Sequence, residues 1–364
     1  MLNLASPLSG LGAPFARRDL ARSIRNALFG AGEAGGFYAP SPATAFADTA
    51  GTTPAAAGDP VAQLLDLSGN DNHATQETLA ARPIFGRVPA SGRRNILTQS
   101  ENAGSFTWAP EGVTIVEETG SVDAPTAGPV RVWSITETDT NTPHRVRATG
   151  QTITEGVTYT ASIYAKAGSI GSLFVTFFAG GSGGWSGGAT FNLTNGTVSA
   201  ANATIVDMGN GWYRCSLTTT ATGGNANGQA IWGLKGGGTY QGNPNHNIYL
   251  TGRVLEIASE PSRYQRTGTE FDITEVGQAE RFYVFDDGVD DSLLATLPDL
   301  GTDATLAYAS DEGVTILTGQ TIGAGAFDVL RDKQLYGLIV NNRAWTASET
   351  ERVTRYLERL SVSL

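Results

Sequence analysis

The sequence is poor in cysteine and in lysine. Its single cysteine, Cys215, excludes an intramolecular disulfide and any metal site built from several cysteines. Cys215 lies in an alternating apolar run, which predicts a buried and unreactive thiol. Only Lys166, Lys235 and Lys333 are lysines, so arginine supplies almost all of the positive charge. We expect this chain to fold in a reducing compartment, or in one whose redox state does not matter.

Long hydrophobic runs are missing as well. No segment approaches the roughly eighteen consecutive apolar residues of a membrane-spanning helix, so we expect no membrane insertion. The pair Arg17-Arg18 begins a twin-arginine pattern, but Asp19, Arg22 and Arg25 interrupt what should be its apolar core. We therefore expect synthesis in the cytoplasm and release by another route, such as assembly into a particle.

Positive charge is also scarce. The chain carries 24 basic and 35 acidic residues, a formal charge of −11, and this argues against nucleic acid as a general partner. Only 16% of residues are charged, whereas 40% are hydrophobic and 46 are glycine. This composition favours short strands joined by tight turns, and the length of 364 residues favours two domains plus a tail.

The pattern of residues 95–267 is strongly β. Apolar and polar residues alternate from Val157 to Ala165, which is the period of a half-buried strand. The pairs Asn195-Gly196 and Asn210-Gly211 separate strand-like runs and predict hairpins. We predict a mainly β fold of antiparallel sandwiches or jelly rolls, with one short helix near each end of the chain.

The N-terminal residues 1–35 differ from the rest. Ala16–Phe29 has helical spacing, with Leu20, Ile24 and Leu28 on one face, and we interpret it as a docking element. Packing of this face on a partner protein is favoured, while packing on its own domain or lying on a membrane surface are the alternatives.

Two motifs that lie far apart in the sequence resemble the two halves of one domain. The first comprises Asp48 to Pro54 and Asp66 to Gln76 and continues to Arg82-Pro83, and the second is Val284-Phe-Asp-Asp-Gly-Val-Asp-Asp291. Together they resemble the laminin-G or concanavalin-like modules of bacteriophage tail and spike proteins. The resemblance implies a split domain, residues 36–94 and 268–364, that holds an inserted domain, residues 95–267.

The inserted domain has a resemblance of its own. It is carried by Asn95-Ile-Leu-Thr-Gln-Ser-Glu-Asn102, Trp108, residues 159–168, Gly209-Asn-Gly-Trp-Tyr-Arg-Cys215 and Pro261-Ser-Arg-Tyr264. These residues resemble the carbohydrate-binding-module-like jelly rolls found in phage tail fibres and in head spike fibres of phages and gene transfer agents. Among these proteins, the head spike fibre of a gene transfer agent is the one that we expect this chain to resemble most.

The resemblance implies a particle component that is not an enzyme. It implies a homo-oligomeric spike or fibre subunit on the particle surface, seated through its N-terminus on a spike base, capsid or tail protein. A fivefold capsid vertex favours a pentamer, and a tail fibre favours a trimer. The expected ligand is host surface polysaccharide, such as capsule. A decoration protein without a ligand is the alternative, and a capsule depolymerase is less favoured, because no spacing singles out a pair of carboxylates.

Two glycine-rich loops are candidates for sugar binding, since sugars need an aromatic face and planar amides. One carries Trp185, and residues 236–246 carry Tyr240, Gln241, Asn243 and Asn245. The alternative is that both are flexible hairpins whose aromatic side chains fold back on the sheet.

No cofactor is expected, with calcium as a weaker possibility. Asp286, Asp287, Asp290 and Asp291 surround a glycine turn and could supply carboxylate oxygens to Ca²⁺. The alternative is a turn that leads into a strand. The three histidines are too dispersed to predict a metal site.

Overall fold

A computed structural model describes residues 12–105, 107–126, 128–178 and 187–362. It confirms a mainly β fold of antiparallel sheets with a helix near each end. The chain divides into two compact units: residues 1–92 with 277–364 form the first, and residues 93–276 form the second, which is inserted in the first. The sequence placed the boundaries near residues 95 and 267.

The elements follow one another in three blocks. The first unit begins with α1 (Gly12–Phe29), β1 (Gly35–Tyr38), β2 (Ala45–Phe46), β3 (Gln63–Leu64), β4 (Ala74–Thr75), a 3-10 turn (Leu79–Ala81) and β5 (Ile84–Pro89). The second unit contains β6 (Ala109–Glu111), β7 (Val113–Glu118), β8 (Val132–Glu137), β9 (Asn141–Pro143), β10 (Arg145–Ile153), β11 (Thr158–Ala167), β12 (Ser172–Phe178), β13 (Gly188–Asn192), β14 (Thr197–Val198), β15 (Ala203–Asp207), β16 (Trp212–Thr220), β17 (Asn225–Leu234), β18 (Thr239–Gln241), β19 (Asn247–Ile257), β20 (Gln265–Thr267) and β21 (Ile273–Glu275). The first unit resumes with β22 (Glu280–Phe285), β23 (Leu294–Leu297), β24 (Gly301–Ser310), β25 (Gly313–Ile322), β26 (Gly325–Asp328), β27 (Gln334–Asn341) and α2 (Ala347–Leu360).

The first unit is built from two antiparallel sheets. One has the order β25-β24-β27-β22-β5, with β1 also paired to β27, and the other has the order β2-β3-β4-β23-β26. Both sheets contribute to one apolar core, which includes Tyr38, Leu64, Phe85, Val284 and Leu338. Strands from both sides of the insertion therefore share one sheet, because β5 pairs with β22.

Helix α2 begins with a capping box. The Thr346 hydroxyl accepts a hydrogen bond from the Glu349 amide, and the Glu349 carboxylate accepts one from the Thr346 amide. Its apolar face buries Val353, Tyr356 and Leu357. None of the described helices is long and apolar enough to cross a bilayer.

The second unit contains two six-stranded antiparallel sheets, ordered β14-β13-β12-β17-β10-β6 and β15-β16-β11-β19-β8-β7. Trp108, Phe191 and Trp232 are fully buried in its core together with Cys215. The predicted burial of Cys215 is confirmed, and this burial raises the pKa of its thiol. A smaller cluster, which includes Trp212 and Tyr164, lies apart from this core.

The start and the end of the second unit are tied together by polar side chains. Asn95 is fully buried, accepts from the Leu255 amide and donates to the Arg253 carbonyl at 3.2 Å each. Glu101 accepts from the Tyr264 hydroxyl at 2.9 Å. The motif residues that carried the resemblance therefore join the two ends of the inserted unit.

Candidate functional site

A buried carboxylate lies beneath the loop of residues 235–246. Glu137 ends β8, and its side chain has no exposed surface. Its Oε1 accepts from the Tyr240 hydroxyl at 2.6 Å and lies 2.9 Å from the Lys235 ammonium. Its Oε2 accepts from the Asn243 amide at 2.9 Å and lies 3.1 Å from His246 Nδ1. Four groups of one loop therefore converge on a single carboxylate.

These contacts determine the ionisation of the site. Burial by itself would raise the pKa of Glu137, but the hydrogen bonds from Tyr240, Lys235 and Asn243 outweigh it, so the pKa is lowered. The pKa of Tyr240 is raised by burial and by its hydrogen bond to Glu137. At neutral pH the carboxylate is therefore charged and the phenol is protonated, which is the combination that the 2.6 Å hydrogen bond needs.

Tyr240 does not present an open aromatic face. Its ring centroid lies 4.6 Å from that of His144, and the Lys235 ammonium lies 4.6 Å from the ring centroid. Its hydroxyl is held by Glu137. The residue predicted to stack on a sugar thus folds back on the sandwich and anchors the loop, which is the alternative that the sequence left open.

The other predicted sugar-binding residues lie at the outside of this loop. Gln241 is exposed and donates to Asp139 at 2.7 Å. Asn243 accepts from the amide of Asn245 at 3.0 Å, so its side chain shapes the turn. Among the described residues, the exposed Asn245 side chain has no hydrogen-bond partner. Trp185, the aromatic residue of the other predicted loop, lies outside the described residues.

Sequence reasoning missed Glu137, which organises the site. It ends a mostly buried strand, Val132–Glu137, and its partners follow about a hundred residues later in the chain. The one local signal that could have pointed to Glu137 is a carboxylate at the last position of a strand whose other residues are mostly buried. A buried carboxylate requires donors, so such a position predicts that lysine, histidine or tyrosine comes from elsewhere.

The acidic turn of the first unit brings three of its four predicted carboxylates together. Oxygens of Asp286, Asp287 and Asp291 lie within 4.8 Å of one another, whereas Asp290 is not part of this group. The same side chains also accept backbone hydrogen bonds inside the turn, from Gly288 to Asp286 at 2.7 Å and from Asp287 to Asp291 at 3.0 Å. The carboxylates therefore stabilise the turn, and they could also supply some of the oxygen ligands that Ca²⁺ requires.

Asp291→Asn is expected to stabilise the first unit by about 0.5 kcal/mol at pH 7 without calcium, a value reduced for solvent screening. Burial and the neighbouring aspartates raise the pKa of Asp291, so its ionised form opposes folding and stability falls as pH rises through that pKa. Thermal unfolding with and without millimolar Ca²⁺ checks this, with Asp290→Asn as the matched control because Asp290 is not part of the group. A rise in melting temperature with Ca²⁺ in the unmutated chain and in Asp290→Asn, but not in Asp291→Asn, shows a calcium site, and no rise in any of them shows a turn only.

The predicted docking face of α1 is largely covered by its own unit. Ile24 is 0% and Leu28 is 1% exposed, while Leu20 is half-buried. The Leu28 carbonyl accepts from the Asn341 side chain at 3.0 Å. The chain's own first unit therefore covers most of the face that was predicted to contact a partner. A helical stripe of apolar residues indicates that this face is buried, but it does not indicate which surface buries it.

Comparisons with known proteins do not identify a family for this chain. No family model matches the chain, and a search of curated proteins found no match. Among solved structures, the enzymatically active domain of tailspike protein 4 of bacteriophage CBA120 matches with a TM-score of 0.27 and 12% identity, over 44% of this chain and 21% of that chain. The class that the fold itself defines is a mainly β protein of two antiparallel β units, one inserted in the other.

Proposed function

We propose that the protein is a structural spike or fibre subunit of a phage-like particle and that it attaches the particle to host surface polysaccharide without a catalytic step. The motif resemblance of both units supports this assignment. A gene transfer agent head spike fibre is the particular form that we favour. A decoration protein without a ligand is the second candidate, because the side chains of Gln241 and Asn243 already form hydrogen bonds within the inserted unit.

The observation that carries the proposal is the anchored loop. Residues 235–246 are fastened through Glu137, and the exposed side chains of Gln241 and Asn245 lie at its surface. A loop held in one conformation loses little entropy when a ligand binds, which favours binding by planar amides to sugar hydroxyls.

The state of the buried carboxylates supports binding over hydrolysis. A glycosidase acid needs a raised pKa and a free oxygen directed at the glycosidic bond. Glu137 has a lowered pKa, and its oxygens accept hydrogen bonds from Tyr240, Lys235 and Asn243. Glu256 is 1% exposed and accepts from both the amide and the hydroxyl of Ser262.

We also propose that the subunit is a homo-oligomer, with a pentamer favoured over a trimer, and that residues 1–35 contact a base protein of the particle. Since Ile24 and Leu28 pack on the first unit, this contact would use the part of the segment before them together with the exposed side of α1. Light scattering on the purified full chain gives the oligomer number, and a monomer at micromolar concentration would contradict the oligomer.

Binding of the labelled full chain to capsulated and acapsular host cells tests the attachment function. We expect binding that depends on capsule and that weakens about tenfold when Gln241→Ala and Asn245→Ala are combined, since each amide contributes roughly 0.5–1.5 kcal/mol. Asn227→Ala is the matched control, because Asn227 is exposed in the same unit and its side chain has no partner among the described residues. Equal binding to both cell types, or no binding, would favour the decoration protein.

A further inference from the structure

A concave surface lies in the inserted unit, away from the loop over Glu137, and was not predicted from the sequence. It is a depression of about 350 Å³. Its lining residues lie on β11 and β16, directly after β15, directly before β20 and directly after β21. They are two tyrosines, two arginines and two apolar residues: Tyr164, Met208, Arg214, Arg263, Tyr264 and Val276. The combination of aromatic rings with guanidinium groups distinguishes it from the amide-rich loop over Glu137.

Arg214 is held in place on one side of the depression. It donates to the Ser262 carbonyl at 2.6 Å and to the Ser162 hydroxyl at 3.0 Å. Its guanidinium carbon lies 5.7 Å from the centroid of the Tyr164 ring. Both of these hydrogen-bond acceptors are neutral oxygens, and Arg214 forms no ion pair within the described ranges. No carboxylate in direct contact therefore neutralises its positive charge.

Arg263 adds a second positive charge. Its side chain is exposed and has neither a hydrogen bond nor an ion pair among residues that the structure describes. Most arginines of the second unit with a described side-chain contact meet a carboxylate, as Arg131 meets Glu117 and Arg145 meets Glu111. Two arginines without carboxylate partners therefore flank one depression in a chain whose formal charge is −11.

The remaining walls are aromatic and apolar. The rings of Tyr164 and Tyr264 meet edge to face, with centroids 5.6 Å apart and an interplanar angle of 82°. The Tyr264 hydroxyl is bonded to Glu101 and Ser100, which fixes its ring. Val276 is 71% exposed, an unusual position for a large apolar side chain beside a concave surface.

We propose that this depression binds the carboxylate-bearing ring of an acidic saccharide. A planar guanidinium pairs with a carboxylate through two parallel hydrogen bonds, and tyrosine and aliphatic walls contact the C–H face of a pyranose. The inference rests on the proposed attachment function for the choice of a saccharide, and it names the chemical class of that polysaccharide as one rich in uronic or similar acids.

Titration calorimetry of the full chain tests the proposal with glucuronate, galacturonate and sialic acid oligosaccharides, each beside its neutral methyl ester. We expect an acid to bind and its ester not to bind. Arg263→Gln should weaken binding at least about tenfold, the typical effect of losing one hydrogen bond between charged groups. Arg266→Gln is the matched control, because Arg266 is exposed on the same segment and is 3.4 Å from Asp272; it should leave affinity unchanged.

Three outcomes would overturn the proposal: no acid binds at millimolar concentration, acids and esters bind equally, or Arg263→Gln and Arg266→Gln weaken binding to the same degree. Stronger binding of glucose 1-phosphate than of every acid would also overturn it, because the depression would then be a phosphate site. The cell assay separates this inference from the attachment function. If the protein attaches to cells through capsule but binds no acidic saccharide, only the proposed saccharide site in the depression is refuted. If acidic saccharides bind and binding needs Arg263, but the protein does not attach to cells, only the attachment function is refuted.

Discussion

Replacing Arg253 by alanine is expected to lower the free energy of unfolding of the inserted unit by about 4 kcal/mol. The Arg253 side chain is 1% exposed, and its guanidinium carbon lies 4.7 Å from the centroid of the Trp108 ring. It donates to the Thr107 carbonyl at 2.6 Å, to the Thr107 hydroxyl at 2.7 Å and to the Thr98 carbonyl at 3.1 Å. Truncation leaves these oxygens without donors and opens a cavity beside a buried indole.

The charge of Arg253 makes this position unusual. Burial lowers the pKa of its guanidinium to about 9, so the group is still charged at pH 7. Its partners in the described part of the chain are neutral oxygens and an aromatic ring rather than a carboxylate. Arg253→Lys should recover only part of the lost stability, because an ammonium lacks the planar fork that reaches two segments at once.

Urea unfolding followed by tryptophan fluorescence measures this effect, since Trp108, Trp133, Trp212 and Trp232 all belong to the second unit. Arg145→Ala is the matched control, because Arg145 is paired with Glu111 at the half-exposed surface and should cost less than about 1 kcal/mol. If Arg253→Ala cost no more than this control, the buried guanidinium would not be what fastens residues 98–107 to β19.

The local features of the fold were predictable from the sequence because they depend on neighbouring residues. Alternation from Val157 to Ala165 predicted the strand found at Thr158–Ala167. Asn195-Gly196 lies between the paired strands β13 and β14, and Asn210-Gly211 lies between β15 and β16. The capping box of α2 is equally local, because Thr346 and Glu349 are three residues apart.

The candidate site was less predictable because its parts are distant in the chain. The partners of Glu137 are 98 to 109 residues away from it in the sequence. Hydrophobic periodicity describes neighbouring residues and does not predict contacts over such a separation. The face formed by Ile24 and Leu28 shows a related limit. A helical stripe specifies that a surface must be covered, but a single sequence does not specify whether its own sandwich or another protein covers it.

Replacing Glu137 by glutamine is expected to lower the free energy of unfolding of the inserted unit by about 3 kcal/mol at pH 7. The amide that replaces one oxygen is itself a donor, so it would face either Tyr240 and Lys235 or the Asn243 amide, all of which donate to the carboxylate of the unmutated chain. Glu111→Gln is the matched control, because Glu111 forms a more exposed pair and should cost less than about 1 kcal/mol.

The dependence on pH gives an independent measurement of the same site. The folded-state pKa of Glu137 lies below its ordinary value of 4.5, so its contribution is complete above that value and is lost as pH falls through the folded pKa. The difference in stability between the unmutated chain and Glu137→Gln should therefore be constant near neutrality and shrink in acid. A difference that grew in acid would mean that the carboxyl is protonated in the folded state.

Hydrogen exchange and cell binding together identify how Glu137 acts. Its side chain has no exposed surface, so it cannot touch a polysaccharide and can influence binding only by ordering the loop above it. We expect Glu137→Gln to accelerate amide exchange in residues 235–246 and to weaken capsule-dependent binding in the same variant. Faster exchange with unchanged binding would show that the loop is not the attachment surface, and the depression lined by Arg214 and Arg263 would then be the remaining candidate in the described part of the inserted unit.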